Sequence, residues 1–319
     1  ELVLKYLKAM SDYERTGDTG SLKATVNTDQ GLPFIPPSLS GDRSPEDLKA
    51  RARSNTWGSQ DEPVVPDGVR FLTSTIDVQK HQFVVQVHGH GPAGDRYVVD
   101  RFSIRKSERF DEDGERYFLS PHAHEEDWYV LIPQVIEKSY PLNDESGRRM
   151  RIRAVACDSG GREGVTLNAY AFWRYLRDEH PGQHHRRFQL VKGNPVLSAP
   201  AQALTYPNSE RKDRRAAARG EVPVLLVNTN MLKDRLDGFL DRVDGNGHSV
   251  IFPHWLPDWF YSELTVEVKV PNKGWENPKK LRNEAWDLLV YDIALCLSPR
   301  HIGIDADDAS ERRVMQAAL

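Results

Sequence analysis

The chain contains little cysteine and no long apolar run, and each absence excludes a class of protein. Its 319 residues include only two cysteines, Cys157 and Cys296, too few for a disulfide framework or for a zinc site built mainly from cysteines. No stretch approaches the roughly 20 apolar residues of a membrane-spanning helix. The first residues, ELVLKYLKAM, also lack the apolar core of a signal peptide. We therefore expect an intracellular protein with no membrane partner.

A strong excess of one charge is also missing. The formal net charge is −4, with 39% hydrophobic and 28% charged residues, which is the balance of a globular protein. A chain of this length can bury a sizeable core, as one large domain or two small ones. The net charge alone neither indicates nor excludes a nucleic-acid partner, so the positions of individual charges must decide.

Composition divides the chain into three parts. Residues 1–65 begin with helical spacing and continue as a connector rich in proline, serine, aspartate and glycine. Within this connector, Ser44 and Pro45 predict the start of a short helix. Residues 66–300 alternate strand-like and helix-like runs, and residues 301–319 form a C-terminal tail. The middle part is expected to be the functional domain.

Residues 66–300 have the pattern of a mixed sheet. Runs rich in Val, Ile, Thr and Phe predict consecutive antiparallel strands at 69–78, 82–88 and 96–104. A charged loop is expected next, at 105–126. Later strands are predicted at 151–156, 188–191 and 223–227. Helices are predicted at 128–140, 165–178, 231–243 and in a last segment ending at Leu297. This order predicts an α/β fold, in which three antiparallel strands are followed by parallel strands and helices cover both faces of the sheet.

Carboxylates occur where two of these strands end. Asp77 lies near the end of the first strand, and Asp158 follows a later strand immediately before a Ser-Gly-Gly turn. Because ligands collect beyond the strand ends of such sheets, adjacent strands would bring both acids together. On the last helix, Glu284, Asp287 and Tyr291 are spaced i, i+3, i+7 and share one face. Clustered carboxylates repel one another and hard divalent cations remove that repulsion, which predicts a two-metal nuclease.

Each of these acids also has a structural interpretation. Backbone amides in a turn would satisfy Asp77, and Asp158 has the sequence context of a helix N-cap. An acid on an exposed helix face, as predicted for Asp287, is usually only solvated. Asp292 lies off that face and is expected to be structural.

Several phrases of the sequence, taken in order, resemble a known family. They are GDTGSLKATVNTDQGLPF, LTSTIDVQ, AVACDSGG and RNEAWDLLVYDIA, spread over most of the chain. Together they resemble the large terminase subunit of lambda-type tailed bacteriophages, whose nuclease has a ribonuclease-H-like fold. The resemblance implies two Mg²⁺ or Mn²⁺ ions held by Asp77, Asp158 and Asp287, with Glu284 as an alternative ligand on the same helix.

The resemblance also implies an activity and partners. In this family a packaging ATPase precedes a nuclease that cuts concatemeric viral double-stranded DNA during genome packaging. The chain has no GxxxxGKS/T phosphate loop, so residues 1–65 are interpreted as the end of the ATPase domain or its linker, and 66–300 as the nuclease. Expected partners are double-stranded DNA, the small terminase subunit, the portal protein and the ATPase domain of the same full-length protein, in the host cytoplasm.

Two rival functions stay open on the sequence alone. Another ribonuclease-H-like nucleotidyl transferase, such as a resolvase or transposase, would use the same acids. A non-catalytic DNA-clamping or motor-docking domain would keep them as structural residues. Cleavage of DNA by the purified protein distinguishes the three.

Basic residues and histidines complete the set of candidates. Arg162 and Lys192, near predicted strand ends, are placed to hold a phosphate. A basic segment adds four candidates for contact with the DNA backbone: Arg211, Lys212, Arg214 and Arg215. Histidines with H-x-H spacing suggest zinc, but no third ligand follows at a recognisable interval. Ordinary polar positions are therefore expected for His88, His90, His122 and His124.

Overall fold

The computed structural model describes residues 2–16, 20–31, 43–144, 146–207, 220–242, 247–270 and 273–302. Its α-helices are α1 (Leu2–Thr16), α2 (Gly20–Ala24), α3 (Pro45–Ala52), α4 (Val165–Asp178), α5 (Thr229–Asp241), α6 (Asp258–Glu263) and α7 (Glu284–Leu297). Its strands are β1 (Phe71–Val78), β2 (Phe83–His90), β3 (Arg96–Ile104), β4 (Lys106–Phe110), β5 (Arg116–Phe118), β6 (Ser139–Pro141), β7 (Arg149–Asp158), β8 (Phe188–Asn194), β9 (Gln202–Thr205), β10 (Val224–Asn228), β11 (Val250–Ile251), β12 (Val268–Val270) and β13 (Gly274–Glu276). Across these ranges, no helix combines the length and apolar character needed to cross a membrane.

Nine of the strands form one mixed sheet. Eight of them lie in the order β11-β3-β2-β1-β7-β8-β10-β9, and β6 pairs with β7 off this path. Strands β1, β2 and β3 are antiparallel neighbours, whereas β7, β8 and β10 run parallel to β1. The predicted α/β sheet, with three antiparallel strands followed by parallel strands, is confirmed. It is consistent with a ribonuclease-H-like fold.

Helices cover both faces of this sheet, as expected. One apolar core lies between the sheet and α3, α5, α6 and α7, and the other lies between the sheet and α4. Side chains of β1 point alternately to the two faces of the sheet and so enter both cores. Phe71 packs in the first core, and Leu72 and Ile76 pack in the second. Helix α7 is buried on almost every side. Its acids reach solvent chiefly at the first turn, where 33% of the Asp287 side chain is exposed.

The register of β1 and β7 places two carboxylates side by side. Ile76 pairs with Cys157 across this parallel pair, so the next residues, Asp77 and Asp158, end neighbouring strands. Ala156, two residues before Asp158, packs into the core beneath α7. Because side chains alternate between the faces of a strand, Asp158 lies on the α7 face of the sheet.

The helix predicted over 128–140 is wrong. The segment instead contains a 3₁₀ turn (Glu126–Trp128), a π turn (Ile132–Ile136) and the short strand β6. Pro133 explains the difference, because proline has no N–H to donate to a helical carbonyl and clashes with the preceding turn of an α-helix. The charged loop expected over 105–126 also contains the hairpin β4–β5.

The short helix predicted from Ser44 and Pro45 is confirmed as α3. The Ser44 hydroxyl accepts a hydrogen bond of 3.1 Å from the Asp47 backbone N–H, and the Asp47 carboxylate accepts one from Ser44 N in return. This reciprocal cap satisfies two backbone donors at the start of the helix. Leu48 and Ala52 of α3 are buried in the core beneath α7.

Candidate active site

Asp77 lies at the end of β1, where the sheet meets the first turn of α7. The Gln79 side-chain amide donates a hydrogen bond to its carboxylate and a second, of 3.4 Å, to Glu284. Burial, together with the charges of Asp158 and Glu284, raises the pKa of Asp77 to about 6, although the Gln79 hydrogen bond opposes this shift. Without a cation, this carboxylate is costly to ionise.

Asp158 ends β7 and begins the glycine turn before α4. Its Oδ1 accepts a hydrogen bond of 3.0 Å from Gly160 N, and the Ser159 hydroxyl donates to Val191 O at 2.9 Å, which holds the turn against β8. Burial raises the pKa of Asp158, the Gly160 bond opposes it, and the charge of Asp287 adds to it. The helix-cap interpretation is wrong, because α4 begins at Val165 with Gly164 as its N-cap.

Asp287 projects from the first turn of α7. Asn283 Nδ2 donates a hydrogen bond of 3.0 Å to its Oδ2, and Lys233 Nζ of α5 lies 3.2 Å from its Oδ1. Partial burial, together with the charges of Glu267 and Asp77, raises the pKa of Asp287 to about 6, although Lys233 opposes this shift. Burial and acidic neighbours thus disfavour the ionised form of Asp287 as well.

Glu284, the alternative ligand, has a different environment. Burial disfavours its charge, but hydrogen bonds from Glu263 and Arg282 outweigh burial and hold its pKa below the usual range. Glu263 takes the opposite shift, to a pKa of about 7, because it is buried, although the Arg101 charge partly offsets that burial. Glu284 is therefore already compensated by partners of its own.

The structure brings the three predicted aspartates into mutual electrostatic reach. The charge of Asp158 raises the pKa of Asp77, the charge of Asp287 raises that of Asp158, and the charge of Asp77 raises that of Asp287. Burial and these three charges also raise the pKa of Tyr291 well above its ordinary value. Among the described residues, the groups whose three ligand atoms lie within 4.8 Å of one another are found elsewhere, so the oxygen atoms of the three aspartates do not all lie that close together. An all-carboxylate donor set of this kind suits hard cations such as Mg²⁺ or Mn²⁺.

The predicted basic residues fall into two groups. Lys192 is exposed near the end of β8, and its charge acts on Asp158. Arg162 is exposed in the turn between β7 and α4, and its charge acts on His122. The four residues of the basic segment, Arg211, Lys212, Arg214 and Arg215, lie outside the described part of the chain.

Sequence reasoning missed Lys233. This lysine lies in the first turns of α5, the helix that follows β10. Its ammonium group contacts both oxygens of Glu267 at 2.7 Å in addition to Asp287. One signal was available: β10 runs parallel to β1 and β7, so a helix starting after β10 begins at the edge of the sheet where Asp77 and Asp158 lie.

Gly164, which precedes α4 and follows the glycine turn, makes a close contact with the backbone of His122. Gly164, with φ of 91°, packs so tightly that a Cβ there would lie 2.2 Å from the carbonyl oxygen of His122. Only glycine fits this contact and this backbone conformation. The turn that carries Asp158 is thereby held against the loop that carries His122.

Comparison with known proteins decides the family. Residues 1–307 match the model of the endonuclease domain of the terminase large subunit gpA. The chain belongs to this family. This terminase nuclease chain is 25% identical over 304 residues to the terminase large subunit of Escherichia phage lambda, covering 91% of the chain and 41% of that protein. It is 29% identical over 246 residues to the terminase large subunit of Enterobacteria phage P21, covering 72% of the chain and 33% of that protein.

The chain thus spans less than half the length of these relatives. No solved structure matches it significantly. The family membership confirms the resemblance on which the terminase hypothesis rests, and it makes the chain a terminase endonuclease domain.

Proposed function

We propose that this chain is a metal-dependent endonuclease that cuts concatemeric viral double-stranded DNA during genome packaging. One observation carries the proposal: three carboxylates from distant parts of the chain lie within electrostatic reach of one another, and burial and mutual repulsion raise the pKa of each. A protein retains such a cluster against its electrostatic cost when a cation compensates it. Asp77, Asp158 and Asp287 would therefore hold two Mg²⁺ or Mn²⁺ ions.

Such ions, when bound, supply positive charge at the scissile phosphate and lower the pKa of the attacking water. The residues of the chain orient the ligands for this task. Gln79 fixes the Asp77 carboxylate, Gly160 N fixes Asp158, and Asn283 fixes Asp287. Because these hydrogen bonds already hold each carboxylate in place, little side-chain entropy would be lost when its free oxygen atoms bind a metal ion.

Two further groups have roles in this proposal. Lys192, exposed beside Asp158, places an ammonium group where a phosphate of the DNA backbone would pass. Glu284 is the alternative third ligand, which its bonds to Arg282 and Glu263 make less available than Asp287.

The proposed setting follows from the family. The chain would act in the host cytoplasm as the nuclease part of a longer protein, with residues 1–65 leading from its ATPase domain and 66–300 forming the nuclease. The small terminase subunit would direct it to a cutting site, and the portal protein would receive the packaged DNA.

Cleavage of supercoiled plasmid in Mn²⁺ tests the proposal. We expect nicked and linear products from the wild-type chain. Asp77→Asn and Asp158→Asn should each cut at least about 1,000-fold more slowly. Removing one electrostatic group that stabilises a transition state lowers the rate by about 10²–10³, and removing a metal ligand should lower it more. Asp178→Asn is the control, because Asp178 pairs with Arg177 at the end of α4 and retains cleavage. Cleavage that survives both site substitutions overturns the proposed site. Joined strands instead of cut ones indicate a transferase, and binding without cutting indicates a clamp.

A further inference from the structure

A second group of metal-ligating side chains lies between β2 and the middle of α7. His90 of β2 meets Asp292 and Cys296 of α7, and all three are buried. Asp292 and Cys296 are four residues apart, so they share one face of the helix. We call His88, His90, Asp292 and Cys296 the buried cluster.

The distances within this cluster fit one small cation. His90 Nε2 lies 3.2 Å from Asp292 Oδ1, and Cys296 Sγ lies 3.8 Å from His90 and 4.0 Å from Asp292 Oδ1. A tetrahedral zinc ion with bonds of about 2.0–2.3 Å separates its ligand atoms by about 3.3–3.8 Å. The three ligand atoms are thus within a few tenths of an ångström of zinc spacing.

His88 supplies a fourth ligand from the same strand. Its Nδ1 is buried and makes no hydrogen bond within the described part of the chain. It lies 3.4 Å from Asp292 Oδ1, and the Gln86 side-chain amide contacts its opposite nitrogen at 2.8 Å. Gln86 Oε1 is itself buried and makes no hydrogen bond to another described residue, so turning this amide would let Oε1 accept from Nε2–H and leave Nδ1 with the free electron pair that a metal needs.

The remaining contacts of Asp292 are compatible with an ion. Arg96 Nε bonds Oδ2 at 3.2 Å and its guanidinium lies 4.8 Å from the centre of the Phe239 ring, so it leaves Oδ1 available. The Thr73 hydroxyl lies 2.5 Å from Oδ1 and 2.8 Å from His90 Nε2, and it would turn toward one of them when an ion enters. Such outer contacts orient metal ligands in known sites.

The protonation states of His90 and Asp292 also suit a borderline-soft ion. Burial lowers the pKa of His90, which favours the neutral imidazole that binds metals. The contacts with His90 and His88 outweigh burial and hold the pKa of Asp292 well below its ordinary value. Burial raises the pKa of the Cys296 thiol, so binding would release its proton to solvent. The resulting set of two nitrogens, one oxygen and one thiolate is a zinc set, unlike the all-carboxylate set of Asp77, Asp158 and Asp287.

We propose that His88, His90, Asp292 and Cys296 bind a structural zinc ion that fastens α7 to β2. The sequence shows the H-x-H pair but not its partners, because 206 residues separate His90 from Cys296. The proposal does not depend on the nuclease function, since none of the four residues belongs to the candidate active site.

Cobalt substitution of the whole chain tests the site with a readout other than cleavage. We expect Co²⁺ to give a thiolate-to-cobalt charge-transfer absorption that equimolar Zn²⁺ abolishes. Cys296→Ser should remove this absorption and lower zinc affinity by more than the about 10–100-fold that outer partners contribute. Cys157→Ser is the matched control, because Cys157 is equally buried but lies in the opposite core, and it should retain the absorption. Asp77→Asn should retain it as well.

X-ray absorption at the zinc edge of the wild-type protein gives a result even if Cys296→Ser fails to fold. We expect one sulfur neighbour at about 2.3 Å and nitrogen or oxygen neighbours at about 2.0–2.1 Å. A zinc environment without sulfur, a wild-type chain with no cobalt–thiolate absorption, or an absorption that follows Cys157 overturns the proposal.

Discussion

Asp287 and Asp292 lie five residues apart on one helix, yet their environments shift their pKa values in opposite directions. Partial burial, together with acidic neighbours, raises the pKa of Asp287 to about 6. Asp292 is more completely buried, yet its pKa lies well below the ordinary value because His90, His88 and other donors surround it. Burial alone therefore does not set the charge of a carboxylate. The charged and hydrogen-bonding partners that the fold brings to each carboxylate decide the direction of its pKa shift.

Neutralising each aspartate in turn should give the largest contrast. In chelator, Asp292→Asn should lower the free energy of unfolding by about 3–5 kcal/mol, because it leaves Arg96 buried without its partner. Asp287→Asn should change it by less than about 1 kcal/mol, since the wild-type charge there is disfavoured, while cleavage falls at least about 100-fold. Urea unfolding and plasmid cleavage measure the two effects. Equal losses of stability in both variants contradict the comparison.

The stability of the metal-free protein should depend on pH through the acids of the candidate active site. The pKa values of Asp77 and Asp287 are about 6 in the fold against 3.8 ordinarily, so the folded state binds more protons than the unfolded state between these values. This stabilisation is present below about pH 4 and is lost as the pH rises through about 6. We expect a melting temperature in chelator that falls across this interval.

Mn²⁺ and a double variant complete that experiment. At pH 7, Mn²⁺ at about 100 times its dissociation constant should restore about 2.7 kcal/mol. The Asp77→Asn, Asp287→Asn variant should show a flatter pH profile and no response to Mn²⁺. A wild-type melting temperature that rises steadily from pH 4 to pH 7 in chelator would count against the repulsive cluster.

Lys233 tests whether Asp287 has an internal competitor for the metal. Its ammonium group lies 3.2 Å from Asp287, and a cation at that distance opposes an incoming divalent ion by a few kcal/mol at most. Lys233→Met should lower the Mn²⁺ concentration for half-maximal cleavage by about tenfold, which corresponds to about 1.4 kcal/mol. Lys269→Met, which removes a neighbouring ion pair with Asp234, should leave this concentration unchanged. A higher requirement in Lys233→Met shows instead that the lysine holds Asp287 in place.

The smallest effect is expected at Lys192. With a net charge of −4, the chain should bind DNA weakly and with strong salt dependence. Lys192→Gln should weaken binding a few-fold and reduce the slope of log affinity against log salt by about 0.9, the loss of one phosphate contact. Lys49→Gln on α3, where Lys49 pairs with Asp258, should leave the slope unchanged. An unchanged slope for Lys192→Gln assigns the phosphate contact elsewhere.

Local patterns in the sequence were sufficient for much of the fold. Alternation of apolar residues predicted β1, β2, β3 and β7, and helical spacing predicted α4 with the bounds that the structure has. The meeting of Asp77 and Asp158 also followed, because parallel strands end at one edge of the sheet and both acids end strands. These features depend on residues close together in the chain.

Features that depend on contacts between distant residues were not predictable. The prediction of a helix over 128–140 was wrong because it relied on apolar spacing and disregarded Pro133, which has no backbone N–H to donate. Lys233 and Glu263 reach the acids only through the packing of α5 and α6 beside α7. Likewise, H-x-H spacing could not reveal Asp292 and Cys296, which belong to the last helix.

The contact between Gly164 and His122 has a practical consequence for genetic screens. Any side chain at position 164 must displace the His122 carbonyl, only 2.2 Å from where its first carbon would stand. A mutational scan for phage viability should therefore score this position as intolerant as the aspartates, although it carries no functional group. Intolerance at position 164 would result from the close packing of Gly164 against the His122 backbone and would not indicate a catalytic role.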